Sequence, residues 1–176
     1  MRMLSSMFRN LFYHGPKLSV LHEKYAKQKH IDRRAPIRSR SEIIIDAPVS
    51  AVWSIVTDIP SWPTLDSQFS GIRLSLPVQV DKGFKFTINN FPITAQFAVV
   101  EPERELTWSG RFFWVNAVDR HVLERIDAQT TRLSVEESMA GALLPLFFTN
   151  SQLQRQHRSW LAAMKNAAEK SKRADY

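Results

Sequence analysis

The chain has 176 residues, 44% of them hydrophobic, 11% aromatic and 23% charged, a length and balance that fit one soluble globular domain with a single core. It contains no cysteine, which excludes disulfides, zinc–thiolate sites, iron–sulfur clusters and thiol nucleophiles together. The net charge of +7 is an N-terminal property: residues 1–40 carry ten Lys/Arg against Glu23 and Asp32, whereas residues 41–176 carry fourteen against fifteen acids, too even a balance for a nucleic-acid-binding surface.

Residues 1–12 lack the continuous apolar core of a secretory signal, because Ser5, Ser6, Arg9 and Asn10 interrupt it. Leu4, Met7, Phe8, Leu11 and Phe12 recur instead at spacings of three and four, which predicts an amphipathic helix. Three roles fit it: packing on the chain's own body or on a second copy in a homodimer, peripheral contact with an anionic membrane, and mitochondrial-type targeting. The expected location is the cytoplasm, with membrane association and organellar targeting left open.

A second helix is predicted from about Lys17 to His30, with Leu18, Leu21 and Tyr25 on one side and Lys24, Lys27 and Lys29 on the other. Ile31 to Arg38 is polar, charged and stopped by Pro36, and reads as a linker. The boundaries expected are therefore a basic helical extension over 1–38 and a folded domain over 39–176.

From Arg40 the pattern turns to alternation. Glu42 to Asp46 is a strand, and Val49 to Asp58 a short helix with Val49, Val52, Trp53 and Val56 as its buried stripe. Pro60, Trp62 and Pro63 allow one tight helical turn. Six strands follow, Ile72–Leu76, Phe84–Ile88, Ile93–Val100, Glu105–Arg111, Trp114–Ile126 and Thr131–Met139, separated by turn signals such as Asn89-Asn90. These connections are too short for parallel crossovers, so the sheet should be an antiparallel meander. The longest strongly apolar run, Gly141–Phe148, is far short of the ~20 residues that span a bilayer, and Pro145 interrupts it. A long helix is predicted from about Leu143 to Lys172, with Leu146, Asn150, Leu153, His157, Trp160, Leu161, Met164 and Ala168 on one face. The sum is an α+β domain in which about seven strands curve around that last helix.

Three local patterns carry a resemblance. Ile45-Asp46-Ala47-Pro48 through Val52-Trp53 to Thr57-Asp58 and Trp62-Pro63 is similar to the strand, "AP", "VW" and "TD…WP" opening of the START-like superfamily, also called SRPBCC. Glu101-Pro102 with Leu106-Thr107-Trp108 is similar to its "EP…LxW" hairpin, and Glu137-Ser138-Met139-Ala140-Gly141 to its "ExFxG" bend. The superfamily includes polyketide cyclase/dehydratase-like proteins, lipid-transfer START domains and the birch-pollen allergen group. The resemblance covers about residues 41–170 and implies a helix-grip fold whose cavity, between sheet and long helix, holds an apolar small molecule. Residues 1–40 have no counterpart in it.

Strand parity puts Glu137 on one face with Leu133, Val135 and Met139, so an inward-facing Leu and Val carry the carboxylate inward. A buried carboxylate needs a partner or a raised pKa, which makes Glu137 a candidate acid or base; capping the bend or pairing with a basic residue at the rim is the plainer role. His121, on the preceding strand, pairs with Glu137 or faces solvent. His157 lies on the apolar helix stripe, where a local hydrogen bond, for instance from Asn150, competes with a catalytic role. Glu137, His121 and His157 are the candidate catalytic residues. Phe84, Phe86, Phe97, Trp108, Arg111, Trp114, Asn150, Leu153 and Trp160 are the candidate ligand contacts, the aromatics as walls and Arg111 as a cation at the mouth.

No GxGxxG, GxSxG or P-loop pattern is present, glycine is scarce at five residues, and His14, His22 and His30 recur every eight residues on a basic segment whose only carboxylates are Glu23 and Asp32, so neither a cofactor nor a metal is expected. Two functions fit: cofactor-free cyclase/dehydratase chemistry on a bound polyketide-like molecule, and noncatalytic carriage of a lipid by a protein that docks on membranes through its basic N-terminal helix. A dry aromatic lumen favours carriage; a carboxylate and a histidine converging within hydrogen-bond reach favours chemistry.

Overall fold

The computed structural model describes residues 11–174, with side chains to 171; the helix expected over residues 1–12 lies largely outside them. The elements are α1 (Leu18–Lys24), β1 (Ile37–Ile45), α2 (Val49–Thr57), α3 (Trp62–Leu65), β2 (Phe69–Leu74), β3 (Gly83–Ile88), β4 (Phe91–Glu101), β5 (Glu105–Phe112), β6 (Val115–Arg125), β7 (Thr131–Ala140) and α4 (Asn150–Ala174), with single 3-10 turns at Ala26–Gln28, Ile59–Ser61 and Leu144–Leu146. All seven strands join one sheet in the order β1-β7-β6-β5-β4-β3-β2. Every pairing is antiparallel. This is the helix-grip architecture: a curved sheet closed by the long C-terminal helix. Among the described residues no helix is long and apolar enough to cross a membrane.

Alternation along β1 explains how α4 is seated. Ile45 is fully buried while Ile44 stays 40% exposed, and α4 lies against β1 and α2. Two polar ties fix its C-terminal half: Lys165 Nζ donates to the Ile44 carbonyl at 2.8 Å, and Asp46 N donates to Glu169 Oε1 at 3.0 Å. Leu153, Trp160, Leu161, Met164 and Ala168 are buried along its inner stripe.

The bend before α4 differs from the expected helix start at Leu143. A Cβ on Gly141 would lie 3.0 Å from Val115 and 3.1 Å from Trp114, so a side chain there would push these neighbours aside. Leu143 then takes a left-handed φ of 63°, and Leu146 and Phe147 are 63% and 69% exposed. The helix begins only at Asn150, so Leu146 is not part of its buried stripe.

The basic extension is built into the fold on the side of the sheet away from α4. The expected helix to His30 stops at Lys24, and the segment read as a linker is partly core: Ile31, Asp32 and Ala35 are all buried. Leu21, Ala26 and Ile31 form an apolar cluster with Ala98 of β4 and Val118 of β6. His22 is buried beneath, with Nδ1 2.8 Å from Ser109 Oγ and Nε2 2.9 Å from Asp81 Oδ1. Asp32 N donates to Ser138 Oγ, and Gly15 sits where a Cβ would come within 2.6 Å of Ala140. The middle of the sheet is thus covered on both faces.

Candidate functional site

The space between the concave face of the sheet and α4 is a cavity of about 630 Å³. Its aromatic wall starts from Trp62, which is fully buried and meets Phe69, Phe86, Trp108 and Trp160 at ring-centroid distances of 5.3, 6.3, 5.7 and 5.0 Å. The Trp62 indole N–H donates to the Val56 carbonyl at 3.2 Å, which locks α3 onto α2. Trp53 is only half-buried, because the stripe that faces the core is Val49, Val52 and Val56.

The polar part of the cavity is assembled from two neighbouring strands and the helix. In β6, Asp119 and His121 share a face two residues apart; in β7, Val135 and Glu137 lie directly opposite them, Glu137 against Asp119 and Val135 against His121. From α4, His157 places Nε2 2.9 Å from Glu137 Oε2. One helical turn further on, Trp160 donates its indole N–H to His121 Nε2 at 2.8 Å. An indole nitrogen only donates, so Nε2 of His121 carries no proton and the ring proton sits on Nδ1, 3.1 Å from Asp119 Oδ1. His121 is further held by stacking on Trp108 at 4.9 Å.

Little of the cluster touches bulk water: the side chains of His157 and Glu137 are 6% and 15% exposed, those of His121 and Asp119 2% and 16%. Burial, and then the charge of Asp119, push the Glu137 carboxyl above the ordinary glutamate range, against the pull of the His157 hydrogen bond. For His157 burial works downward, but the hydrogen bond and charge of Glu137, with the charge of Asp119, outweigh it and hold the imidazole above its ordinary value. Taken as one coupled unit, the pair keeps a proton to higher pH than its members would in water.

The donor atoms of Asp119, Glu137 and His157 lie within 4.8 Å of one another, a grouping able to hold a divalent ion. Metal-ligating histidines nearly always donate their second ring nitrogen to a partner, and His157 Nδ1 is buried without one. The arrangement suits proton sharing better than metal binding. On the outer face His22, Glu23 and Asp81 form a second such grouping, in which both nitrogens of His22 are already engaged.

Of the residues singled out from sequence, Glu137, His121, His157, Phe86, Trp108, Arg111, Trp114, Leu153 and Trp160 border the cavity. Glu137 does not pair with His121; its hydrogen bond is to His157. Phe84 and Phe97 do not border it: they stack on each other at 4.3 Å inside the core. Asn150 is also outside, exposed at the start of α4, where its Oδ1 accepts from Arg38 N. Arg111 is exposed at the mouth, with Nε donating to Asn116 Oδ1. Asp119 is absent from the sequence-based candidates, although its parity with His121 along one strand would have placed it there. Trp62, Phe69, Gln152 and Gln156 also line the space without a distinguishing sequence signal.

The profile of the family described as polyketide cyclase / dehydrase and lipid transport matches residues 36–169. The chain belongs to that family. No curated protein is matched by the sequence at a significant level. Among solved structures, a hypothetical protein from Helicobacter pylori superposes with a TM-score of 0.70 at 16% identity, covering 80% of this chain and 93% of that one. The ZhuI aromatase/cyclase from Streptomyces sp. R1128 gives 0.62 at 14% identity, with 75% and 93% covered. A START superfamily protein from Mycobacterium smegmatis gives 0.61 at 15%, with 76% and 97% covered. At these identities the structures share the fold with this member of the family, and the cavity is the feature that fold is built around.

Proposed function

We propose that this family member binds an apolar, ring-forming small molecule in its cavity and acts on it by cofactor-free acid–base chemistry, with Glu137 as the proton-transferring group and His157 as its partner. The observation that carries the reading is the 2.9 Å contact between Glu137 and His157 inside an otherwise aromatic cavity. Such a pair balances a dehydration without other reagents. The Glu137 carboxylate takes a hydrogen from the carbon beside a carbonyl, a carbon–carbon double bond forms, and the hydroxyl on the next carbon leaves with a returned proton as water. His157 donates through Nε2 to one carboxylate oxygen and so orients the other. The aromatic walls hold a flexible chain in one folded conformation, the remaining requirement for closing a ring.

The test uses an apolar aromatic ketone, tetralone, in heavy water, with exchange of its α-hydrogens read by NMR. Wild type should accelerate exchange above the buffer rate, and Glu137→Gln, which keeps shape but not basicity, should lower that acceleration about 100-fold. Equal exchange by both proteins would remove Glu137 from the chemistry.

One observation favours the second reading, carriage of a lipid. Phe91, Phe113, Trp114 and Phe147 border the cavity and remain 50–69% exposed, an aromatic rim suited to resting on a membrane interface. Copurified lipid in an organic extract, together with vesicle flotation lost in a Phe113→Ser, Phe147→Ser variant, would support carriage over catalysis.

A further inference from the structure

Resting on the ligand-cavity reading above, we infer that the cavity selects a molecule whose apolar aromatic body ends in a protonated amine, with the ammonium N–H groups on the Asp119–Glu137 carboxyl pair. The charge of the cluster gives the first reason. His121 is neutral, because its Nε2 accepts the Trp160 indole proton. With Asp119 ionised, the cluster carries zero, one or two negative charges as the Glu137–His157 pair holds two, one or no protons. None of these states is positive. An anionic ligand therefore finds no counter-charge, while an ammonium finds one as soon as the pair releases a proton.

Hydrogen-bonding capacity points the same way. Two donors of the cluster are spent on its own members, His157 Nε2 on Glu137 and the Trp160 indole on His121. Asp119 Oδ1 and His121 Nδ1 lie 3.1 Å apart without a hydrogen bond, and His157 Nδ1 has no partner either. The unpartnered oxygen of Asp119 is the acceptor offered to a cationic group. His121 itself is only 1% exposed. A buried carboxylate oxygen in this condition needs a donor, and an ammonium supplies up to three.

The surroundings lack an internal competitor. Arg111 is the only lysine or arginine among the described lining residues, and it sits exposed at the mouth with its guanidinium turned to Asn116, where water and salt screen it. Trp108, Trp160 and Trp62 also line the cavity, and aromatic rings accommodate cations. An aliphatic acid or a phosphate-bearing lipid would meet the carboxyl pair unfavourably.

The inference is tested with three probes that share a naphthyl body and differ in the end group: naphthylethylamine, naphthylethanol and naphthylacetate. Each is titrated into the full chain by calorimetry at neutral pH. The alcohol reports whether the cavity takes an aromatic body at all. The ammonium should bind at least about tenfold more tightly than the carboxylate, and Asp119→Asn should narrow that ratio to about threefold or less. Should the variant not fold, the wild-type ratio still decides. An alcohol that binds while the ammonium gains nothing over the carboxylate overturns the charge selectivity alone. Failure of all three to bind overturns the ligand-cavity reading and this inference with it.

Discussion

Trp62 and Trp53 stand nine residues apart, in α3 and α2, yet their surroundings predict very different costs of removal. Trp62 is fully buried, makes four aromatic contacts and donates to the Val56 carbonyl. Truncating a buried Trp or Phe to Ala costs about 3–5 kcal/mol. The upper end applies here, because edge-to-face pairs worth about 0.5–1.5 kcal/mol each are lost and a carbonyl is left without its donor, roughly 1 kcal/mol more. Trp53 is half-buried, so Trp53→Ala removes about half the burial energy of a large side chain, ~1–2 kcal/mol. For a domain of this length 1 kcal/mol shifts Tm by about 2–4 °C. Thermal unfolding followed by circular dichroism should therefore show Trp62→Ala down by about 10–20 °C and Trp53→Ala by about 2–8 °C. Trp62→Phe should recover roughly half the loss by keeping a ring among the others. Equal shifts for the two alanine variants, or a larger one at Trp53, would refute the assignment of Trp62 as the anchor of the aromatic wall.

The cluster also makes stability depend on pH. Glu137 and His157 both titrate above their ordinary values of 4.5 and 6.5, so the folded state binds more protons than the unfolded one, and the stability they contribute is present below those values and lost as pH rises through the folded ones. The difference in urea midpoint between wild type and Glu137→Gln should accordingly move against the wild type from about pH 5 to pH 8; a flat difference would show that the pair titrates normally. Trp160→Phe removes the proton that fixes His121: nitrogen NMR should show the Nδ1–H tautomer in wild type and mixed tautomers in the variant, with about 1 kcal/mol lost. Deleting residues 1–35 uncovers Val118 and Ala98 and strips Ser109 and Ser138 of partners; Tm should fall by about 10 °C or more, since Leu21 and Ile31 alone bury about 1.5–3 kcal/mol each. An unchanged Tm would mean that the outer face of the sheet needs no cover.

Local periodicity reveals those parts of the molecule whose neighbours are set by one element. Strand alternation turns Glu137 inward with Val135, and the helical stripe places His157 with Trp160; both face the cavity. One error arises where periodicity continues through a change of structure: the run Leu143 to Phe148 keeps the spacing of α4, but Leu143 takes a left-handed φ, the helix begins only at Asn150, and Asn150 is left outside the cavity. Parity alone also cannot separate cavity wall from packed core: Phe97 alternates regularly with Ile93 and Ala95, yet it stacks on Phe84 in the core while Ile93 lines the cavity. The extension was illegible for another reason: Ile31 and Ala35 are isolated apolar residues among charges, and their burial depends on Ala98 and Val118, far away in sequence.

The position of the carboxyl pair suggests why histidine reaches it from the helix and not from the sheet. Asp119 and Glu137 are direct cross-strand neighbours, an arrangement that is destabilising for like charges and more so out of water. Directly opposite His121 the sheet has Val135, not Glu137, and the hydrogen bond to Glu137 comes from the helix. Relief comes across the cavity from His157, so the bond that settles Glu137 also measures the distance between sheet and helix. Prising α4 from β7 would leave a buried carboxyl without its donor, a loss of about 1–3 kcal/mol added to that of the Met139–Leu153 cluster beside it. The polar centre thereby resists opening of the grip along its length, and access to the cavity is left to the aromatic rim, where Phe113, Trp114 and Phe147 are exposed.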